Sequence, residues 1–214
     1  VSRDKLPKEP RCFITGLPAL NEFPMSLWLR LSSKNLRVDR GKIMGYGHSF
    51  GLKRLRNAIA SHINASRGIL CDPKQIFITG GAQHAFHLIG SMLLNHNDKV
   101  WIENPGAIGA RNSLIANGAK LIPVSVDKEG IIVSEGLKQA PDFKLAFVTP
   151  SHQQPLSVIM SLKRRFSLLV AAEDANAWII EDDYDSEFHF EGQPVPTLKS
   201  VDTNDRVIYV GTFS

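Results

Sequence analysis

Four short blocks of the 214-residue chain hold side chains whose types and spacing could do chemistry. The first is Thr79-Gly80-Gly81-Ala82-Gln83, where an apolar run meets a helical pattern. Paired glycines let backbone N–H groups approach a ligand closely. The free N–H groups and dipole of a helix start favour an anion. The block lacks the Gly-Lys-Ser/Thr of a Walker loop and the G-x-G-x-x-G of a dinucleotide fingerprint. Taken alone, it reads more simply as a tight turn than as a phosphate site. The second block, Glu181-Asp182-Asp183-Tyr184-Asp185-Ser186-Glu187, closes the apolar run Ala177–Ile180. Its carboxylates repel one another, so a cation is expected nearby. Alternation along an extended chain puts Asp182 and Tyr184 on one side, Asp183 and Asp185 on the other. Three chemistries are open: a solvated acidic loop, an oxygen-ligand Mg²⁺ site, or a carboxylate paired with a protonated heterocycle. The third block is Thr149-Pro150-Ser151-His152-Gln153-Gln154-Pro155. Pro155 holds Gln154 extended and the amides supply hydrogen bonds, although a polar turn would need no more. The fourth, Gly211-Thr212-Phe213-Ser214, sets two hydroxyls around an aromatic ring.

Each block follows a strand candidate: 75–79, 145–149, 177–182 and 206–210, with 99–103 and 120–124 completing the set. All are short apolar runs, as expected of strands buried on both faces of a parallel sheet. Helical patterns separate most of them. Leu52, Leu55, Ile59 and Ile63 share one stripe, with Gly68 beyond its end. The 82–94 stretch carries Phe86, Ile89 and Leu93. The 162–172 stretch follows Ser161, a good N-cap, and carries Phe166, Leu169 and Val170. A weaker pattern runs from Gly106 to Asn117 and is closed by Gly118. This alternation predicts an α/β fold, a three-layer α/β/α arrangement with a mostly parallel sheet. In such sheets ligands bind outside the carboxyl ends of the strands, where the four blocks fall.

Composition narrows the class. Lys and Arg number 25 and Asp and Glu 21, a formal charge of +4; 43% of residues are apolar. That excludes disorder and is weak support for nucleic-acid binding. The basic stretches Lys53-Arg54 with Arg56, and Lys163-Arg164-Arg165, read as solvated helix faces. No apolar run is long enough for a membrane span, so no membrane partner is expected. Cys12 and Cys71 make no disulfide framework, and a reducing cytoplasmic location fits. His84 and His87 lie three apart on a helix, but no third ligand is evident and no metal site is assigned. The stretch Val1 to Arg11 is polar and reads as the tail of a linker.

Taken together and in order, these pieces resemble the aminotransferase-like domain of MocR-type (GntR-superfamily) regulators, which are fold-type I pyridoxal-phosphate proteins. The resemblance covers nearly the whole chain. It runs from Phe13-Ile14-Thr15-Gly16-Leu17-Pro18, Phe23-Pro24 and Trp28 through Tyr46, Gly51, Leu55-Arg56 and Arg67-Gly68. It continues through the Gly80-Gly81 block, Glu103-Asn104-Pro105-Gly106, the Thr149 block, the acidic block with Phe188, and Gly211 to Ser214. The resemblance implies pyridoxal 5′-phosphate as cofactor. Asp182 looks like the carboxylate that pairs with the pyridine nitrogen, keeping it protonated so that the ring withdraws electrons from the substrate Cα. Tyr184 resembles the phenol on the ring O3′, and Gln154 stands where many relatives place an Asn for that oxygen. Gly81, Ala82 and Gln83 look like the helix start that cradles the phosphate, with Thr212 and Ser214 as further ligands. Tyr46 resembles the tyrosine that reaches a phosphate across a homodimer interface. Residues 1–45 would form an N-terminal linker or arm, and 46–214 the large domain, incomplete at its C-terminus.

Departures from the family temper this. Ala107 stands where an aromatic usually stacks on the ring, and Ser157 where a glycine usually lies. The family's Schiff-base lysine would directly follow Ser214, the last residue, so no catalytic residue is assigned and an enzyme activity is left open. The seventh, antiparallel strand, the substrate-carboxylate arginine and the small C-terminal domain would also lie further on. The chain is expected to be a segment of a longer protein, the competing reading being a truncated product. The resemblance implies a domain that senses a small amino compound through aldimine exchange. DNA would be bound only by a winged helix-turn-helix domain not present in this chain. The alternatives are a free pyridoxal-phosphate-dependent aminotransferase acting on an amino acid, or a remnant without activity.

Overall fold

The computed structural model describes residues 19–38, 40–185, 187 and 195–213. Cys12, the 13–18 motif, Ser186, Phe188 and Ser214 lie outside these described residues. The chain divides into two compact units, Val1–His48 and Ser49–Ser214. In the first, a 3₁₀ turn at Leu20–Glu22 precedes helices α1 (Met25–Val38) and α2 (Arg40–Met44). Phe23 meets Trp28 edge to face, with ring centroids 5.8 Å apart. Tyr46 belongs to this unit and is exposed.

The second unit is built on six strands: β1 (Lys99–Asn104), β2 (Lys120–Asp127), β3 (Gly130–Ile131), β4 (Leu145–Val148), β5 (Trp178–Asp183) and β6 (Val207–Gly211). They lie in the order β3-β2-β1-β4-β5-β6. All neighbours are parallel except the short β3, which pairs antiparallel with β2. The chain leaves β1 for β2 on one side and later returns to β4 on the other. The sheet therefore reverses its winding between β1 and β4, the place where such folds open a crevice.

Helices α3 (Lys53–Arg67), α4 (Ala82–Leu93), α5 (Ile108–Ala116), α6 (Val133–Gln139), α7 (Leu162–Asp174) and α8 (Leu198–Val201) complete the unit. Phe86 of α4 and Ala110 and Leu114 of α5 pack with Val100, Leu145, Phe147, Ile180 and Val210 on one face of the sheet. Val133, Leu168, Ala171 and Leu198, from α6, α7 and α8, pack with Trp101, Ala146, Val148, Ile179 and Val207 on the other. Successive strand residues thus feed opposite layers, the three-layer arrangement that the apolar runs predict.

Local signals place several boundaries. Ser161 caps α7 by accepting the Arg164 N–H, and Gly68 closes α3 at φ 65°. Other expectations are corrected. The 75–79 stretch is not a strand: Pro73–Gln75 is a 3₁₀ turn, and beyond it Ile78 donates to Phe50 O. A strand needs a neighbour to share a ladder with, and none pairs with this stretch among the described residues. Helix α5 starts at Ile108 rather than Gly106, because the chain folds back at Gly106 so tightly that a Cβ there would sit 2.3 Å from Glu103 O. In α7 the buried face is Arg165, Leu168, Ala171 and Ala172, while Phe166 and Val170 are about half exposed. In α3 it is Arg56 and Ala60, with Leu55, and Leu52 at the N-cap, about two fifths exposed.

Trp101 shows how closely the α6 layer is packed. Its ring stacks on Phe143 at 3.8 Å and its Nε1 donates to Ala140 O at 3.0 Å. A Cβ on Gly136 of α6 would lie 2.9 Å from three ring carbons. A buried, stacked indole cannot swing aside, so Gly136→Ala should destabilise the fold by about 1–3 kcal/mol. Urea denaturation of the two proteins checks this; equal midpoints would show that the layer yields.

Candidate functional site

The end of β5 carries three successive carboxylates, Glu181, Asp182 and Asp183, on a strand otherwise buried. Alternation sends Glu181 and Asp183 toward one layer and Asp182 toward the layer of α4 and α5. Glu181 is fully buried; its two oxygens accept the Leu198 and Lys199 N–H groups at 2.7 and 2.9 Å, and Arg165 Nη1 stands 3.6 Å away. It therefore caps α8 while its charge faces a buried guanidinium. Asp183 Oδ2 accepts from Arg67 Nε at 3.1 Å and from the Tyr209 hydroxyl at 2.5 Å. The same Arg67 reaches Glu187 through Nη2 at 2.5 Å. These are the cations that the acidic block calls for.

Asp182 differs from both. Among the described residues no hydrogen bond or ion pair reaches its carboxylate. Burial, then the charges of Asp183, Glu103 and Asp185, push it up to about 7. A carboxylate so placed is costly to ionise until a cation arrives. Tyr184, two residues further on, donates its hydroxyl to His152 O at 2.8 Å, and burial raises it to about 12.

A second cluster bridges the ends of β1 and β4, at the reversal of winding. Glu103 is buried, and its Oε2 accepts from Thr149 Oγ1 at 2.6 Å, Thr149 N at 3.3 Å and Gln153 Nε2 at 3.3 Å. Burial raises Glu103 to about 7 against the pull of those donors. Gln153 also donates to Pro105 O and Gln154 O and accepts from Leu156 N. Its side chain therefore braces the 149–156 loop from inside, while Gln154 itself is exposed.

The third element is the start of α4. Gly81 is its N-cap at φ 128°, and no side chain caps the helix. The N–H groups of the first turn are left to face outward. His84 Nδ1 accepts the Gly80 N–H at 3.1 Å, and His87 Nδ1 lies 3.1 Å from Asn117 Nδ2, so both histidines have local partners. Among the described residues no group of three His, Cys, Asp or Glu side chains could hold a metal ion. Thr212 is half-buried and directly follows β6.

The second unit thus holds Asp182, Tyr184, Gly81, Ala82, Gln83, Gln154 and Thr212, all at or beyond the carboxyl ends of strands or at the α4 start. Tyr46 lies in the first unit and Ser214 outside the described residues. Ala107 is a buried residue at the N-cap of α5. The expected solvated basic faces need correction. Arg165 is wholly buried, and Arg164 donates to Gly130 O and pairs with Asp127 at 2.9 Å. Arg56 is buried and donates to Gly51 O and Pro73 O. Sequence spacing assigned no part to Arg165, Tyr209 or Glu103. A charged residue inside an apolar strand or on an inward helix stripe was the one available signal. No helix among the described residues is long and apolar enough to cross a membrane.

With the geometry in view, comparison with known proteins is informative. The family model described as aminotransferase class I and II matches residues 20–214. The chain is 42% identical, over 99% of its length, to the probable rhizopine catabolism regulatory protein MocR of Rhizobium meliloti, of which it covers 43%. It is 39% identical, over 90% of its length, to the uncharacterized HTH-type transcriptional regulator YdeL of Bacillus subtilis, of which it covers 41%. The chain thus spans about two fifths of these relatives. Among solved structures, the kynurenine aminotransferase of Pyrococcus horikoshii superposes with a TM-score of 0.85 at 31% identity, covering 93% of this chain and 51% of that one.

The unpartnered acid has a measurable consequence. The folded chain keeps a proton on Asp182 up to about pH 7, whereas an unfolded Asp releases it near 3.8. Between those values the folded state binds more protons, so this residue's contribution to stability falls as pH rises. Asp182→Asn should remove that loss. The variant should exceed the parent by roughly 1–2 kcal/mol at pH 8 and by little at pH 4.5, read from urea denaturation. An equal difference at both values would mean that Asp182 is ionised throughout.

Proposed function

The chain belongs to the aminotransferase class I and II family, and we propose that it is the pyridoxal-phosphate-binding, aminotransferase-like part of a MocR-type transcriptional regulator that senses an amino compound. The observation that carries the cofactor reading is Asp182, a half-buried strand-end carboxylate with no partner among the described residues, pushed up to about 7, on the sheet face that α4 and α5 cover. The residues fit the group. A Cβ on Gly81 would meet no atom within 4 Å, so open space adjoins the first turn of α4. An anion there meets unpaired N–H groups and the positive end of the helix dipole.

Pyridoxal 5′-phosphate, when bound, supplies an aldehyde that takes up amino groups and a ring that withdraws electrons from them. The protein's part is to hold and tune it. Asp182 would keep the ring nitrogen protonated. Tyr184, whose own proton goes to His152 O, would offer its oxygen to the ring hydroxyl, with Gln154 as a second contact. The N–H groups of Gly81, Ala82 and Gln83 would hold the phosphate, helped by the hydroxyls of Thr212 and Ser214. Tyr46 would serve the phosphate of a second copy in a homodimer. Residues 46–214 would act as the large domain and 1–45 as its arm. DNA recognition would belong to a winged helix-turn-helix outside these 214 residues.

A free amino acid aminotransferase is the second reading, favoured by the likeness to the archaeal enzyme. The greater identity to the regulators, 42% against 31%, favours the first.

The test is equilibrium titration of the full regulator chain with pyridoxal 5′-phosphate, followed by absorbance and tryptophan fluorescence. The parent should bind. Asp182→Ala should weaken binding about 10- to 100-fold, the worth of one charge-assisted contact. Unchanged affinity in that variant would remove Asp182 from the role, and a parent that does not bind would end the cofactor reading.

A further inference from the structure

We propose that Gln153 is a positioning residue for Tyr184: it fixes the His152 carbonyl that takes the Tyr184 proton, so that Tyr184 faces the cofactor as a hydrogen-bond acceptor. This rests on the reading that Tyr184 meets the ring hydroxyl of pyridoxal 5′-phosphate.

Gln153 is buried, and each of its polar groups is engaged. Its Nε2 lies 2.8 Å from Pro105 O, 2.9 Å from Gln154 O and 3.3 Å from Glu103 Oε2, acceptors that share its two hydrogens. Its Oε1 accepts the Leu156 N–H at 3.0 Å. These neighbours fix which end of the amide is which, since acceptors surround the nitrogen and a donor faces the oxygen. On the main chain, the Gln153 N–H donates to Val158 O at 3.0 Å, and its carbonyl accepts the Ser157 N–H at 2.6 Å. The 153–158 segment therefore closes on Gln153, and the side chain ties that closed turn to the end of β1 through Glu103 and Pro105.

The peptide unit between His152 and Gln153 carries this order outward. It is planar and trans, so its N–H and C=O point in opposite directions. With the N–H held by Val158 O, the carbonyl is aimed the other way, where it accepts the Tyr184 hydroxyl at 2.8 Å. A carbonyl has no proton to give, so Tyr184 is the donor in this bond. Burial raises the phenol to about 12 and keeps it protonated at neutral pH. Its single proton is committed to His152 O, and a ligand meets only the oxygen lone pairs. A ring hydroxyl against that oxygen must donate, and such a bond favours the neutral hydroxyl over its anion. With the carbonyl loosened, Tyr184 could turn its proton onto the ring oxygen and favour the anion instead. Gln153, itself buried, thus selects between two protonation states of the cofactor.

The experiment has two parts, both on the full regulator chain. Without cofactor, ¹³Cζ-tyrosine NMR reads the hydroxyl bonds, with signals assigned through Tyr184→Phe and Tyr209→Phe. Gln153→Met keeps the side-chain length and removes the amide. It should shift the Tyr184 signal and leave that of Tyr209, whose hydroxyl is held by Asp183 at 2.5 Å. An unmoved Tyr184 signal overturns the proposal whether or not cofactor binds. With pyridoxal 5′-phosphate bound, absorbance separates the neutral ring hydroxyl, at shorter wavelength, from its anion. The ratio of anion to neutral band should rise about 2- to 10-fold from parent to Gln153→Met, as loss of one hydrogen bond predicts. In a Tyr184→Phe background the same substitution should leave the ratio unchanged, because the coupling runs through the Tyr184 hydroxyl. An equal ratio in parent and Gln153→Met, with affinity or stability alone reduced, would make Gln153 a structural brace and overturn the proposal. A change that persists in the Tyr184→Phe background would overturn it too. If Gln153→Met does not fold, Gln153→Asn replaces it, an amide one methylene too short to reach Pro105 O, with the same expectations. A shifted Tyr184 signal in a protein that takes up no pyridoxal phosphate would support the link to Tyr184 and fault the cofactor reading instead.

Discussion

A carboxylate leaving water for the end of a buried strand must be neutralised, hydrogen-bonded or protonated. The acidic end of β5 meets that demand in different ways at neighbouring positions, and much of the second unit is arranged around the solutions. Glu181 takes the start of α8 and the buried Arg165 of α7. Asp183 takes Arg67 from the end of α3 and Tyr209 from β6. These bonds join three helices and two strands at one edge of the sheet. A buried ion pair is weak evidence of stability, because desolvation offsets much of the attraction. Its value here is positional. With its neighbours on either side engaged on one layer, Asp182 is held toward the other, the layer of α4 and α5.

The ends of β1 and β4 solve the same problem without a cation. Glu103 collects three neutral donors, and those donors brace the loop that carries Gln154 and His152. His152 O in turn takes the proton of Tyr184, the residue that follows Asp182 and Asp183. The two clusters are therefore joined by a hydrogen bond, and movement of the 149–156 loop would be felt at Tyr184. A pocket that reports on its occupant needs couplings of this kind.

Much of this was legible in the sequence, for definable reasons. Strands buried on both faces write themselves as apolar runs, and 177–182 differs from β5 by one residue at each end. Period-two alternation separated Asp182 from Asp183. The repulsion among the acids required cations but could not name them, since Arg67 and Asp183 lie 116 positions apart. Apolar periodicity also misplaced the inward face of α7. Leu169 does pack against the core, but Phe166 and Val170 are half exposed, and the buried stripe begins with Arg165, a residue that hydrophobicity counts as exposed. The same blindness hid Arg56 in α3 and Glu103 in β1. The false strand at 75–79 has another cause. Its composition suits a strand, but pairing is a property of a neighbour, which no local pattern reports.

The unpaired acid also links occupancy to stability. On the proposed reading, function and fold pull in opposite directions at Asp182: an ordinary apolar or amide side chain would sit there more comfortably, yet could not hold a cationic ring. Near and above pH 7, any ligand that places a cation against Asp182 would stabilise the folded state by mass action. On the proposed reading, such a ligand would also meet phosphate-binding N–H groups at α4, on the same layer that Asp182 faces. One molecule with a cationic ring and an anionic tail would satisfy both ends of the crevice at once. A ligand with either charge alone would satisfy one of them, which is how the proposed arrangement would discriminate.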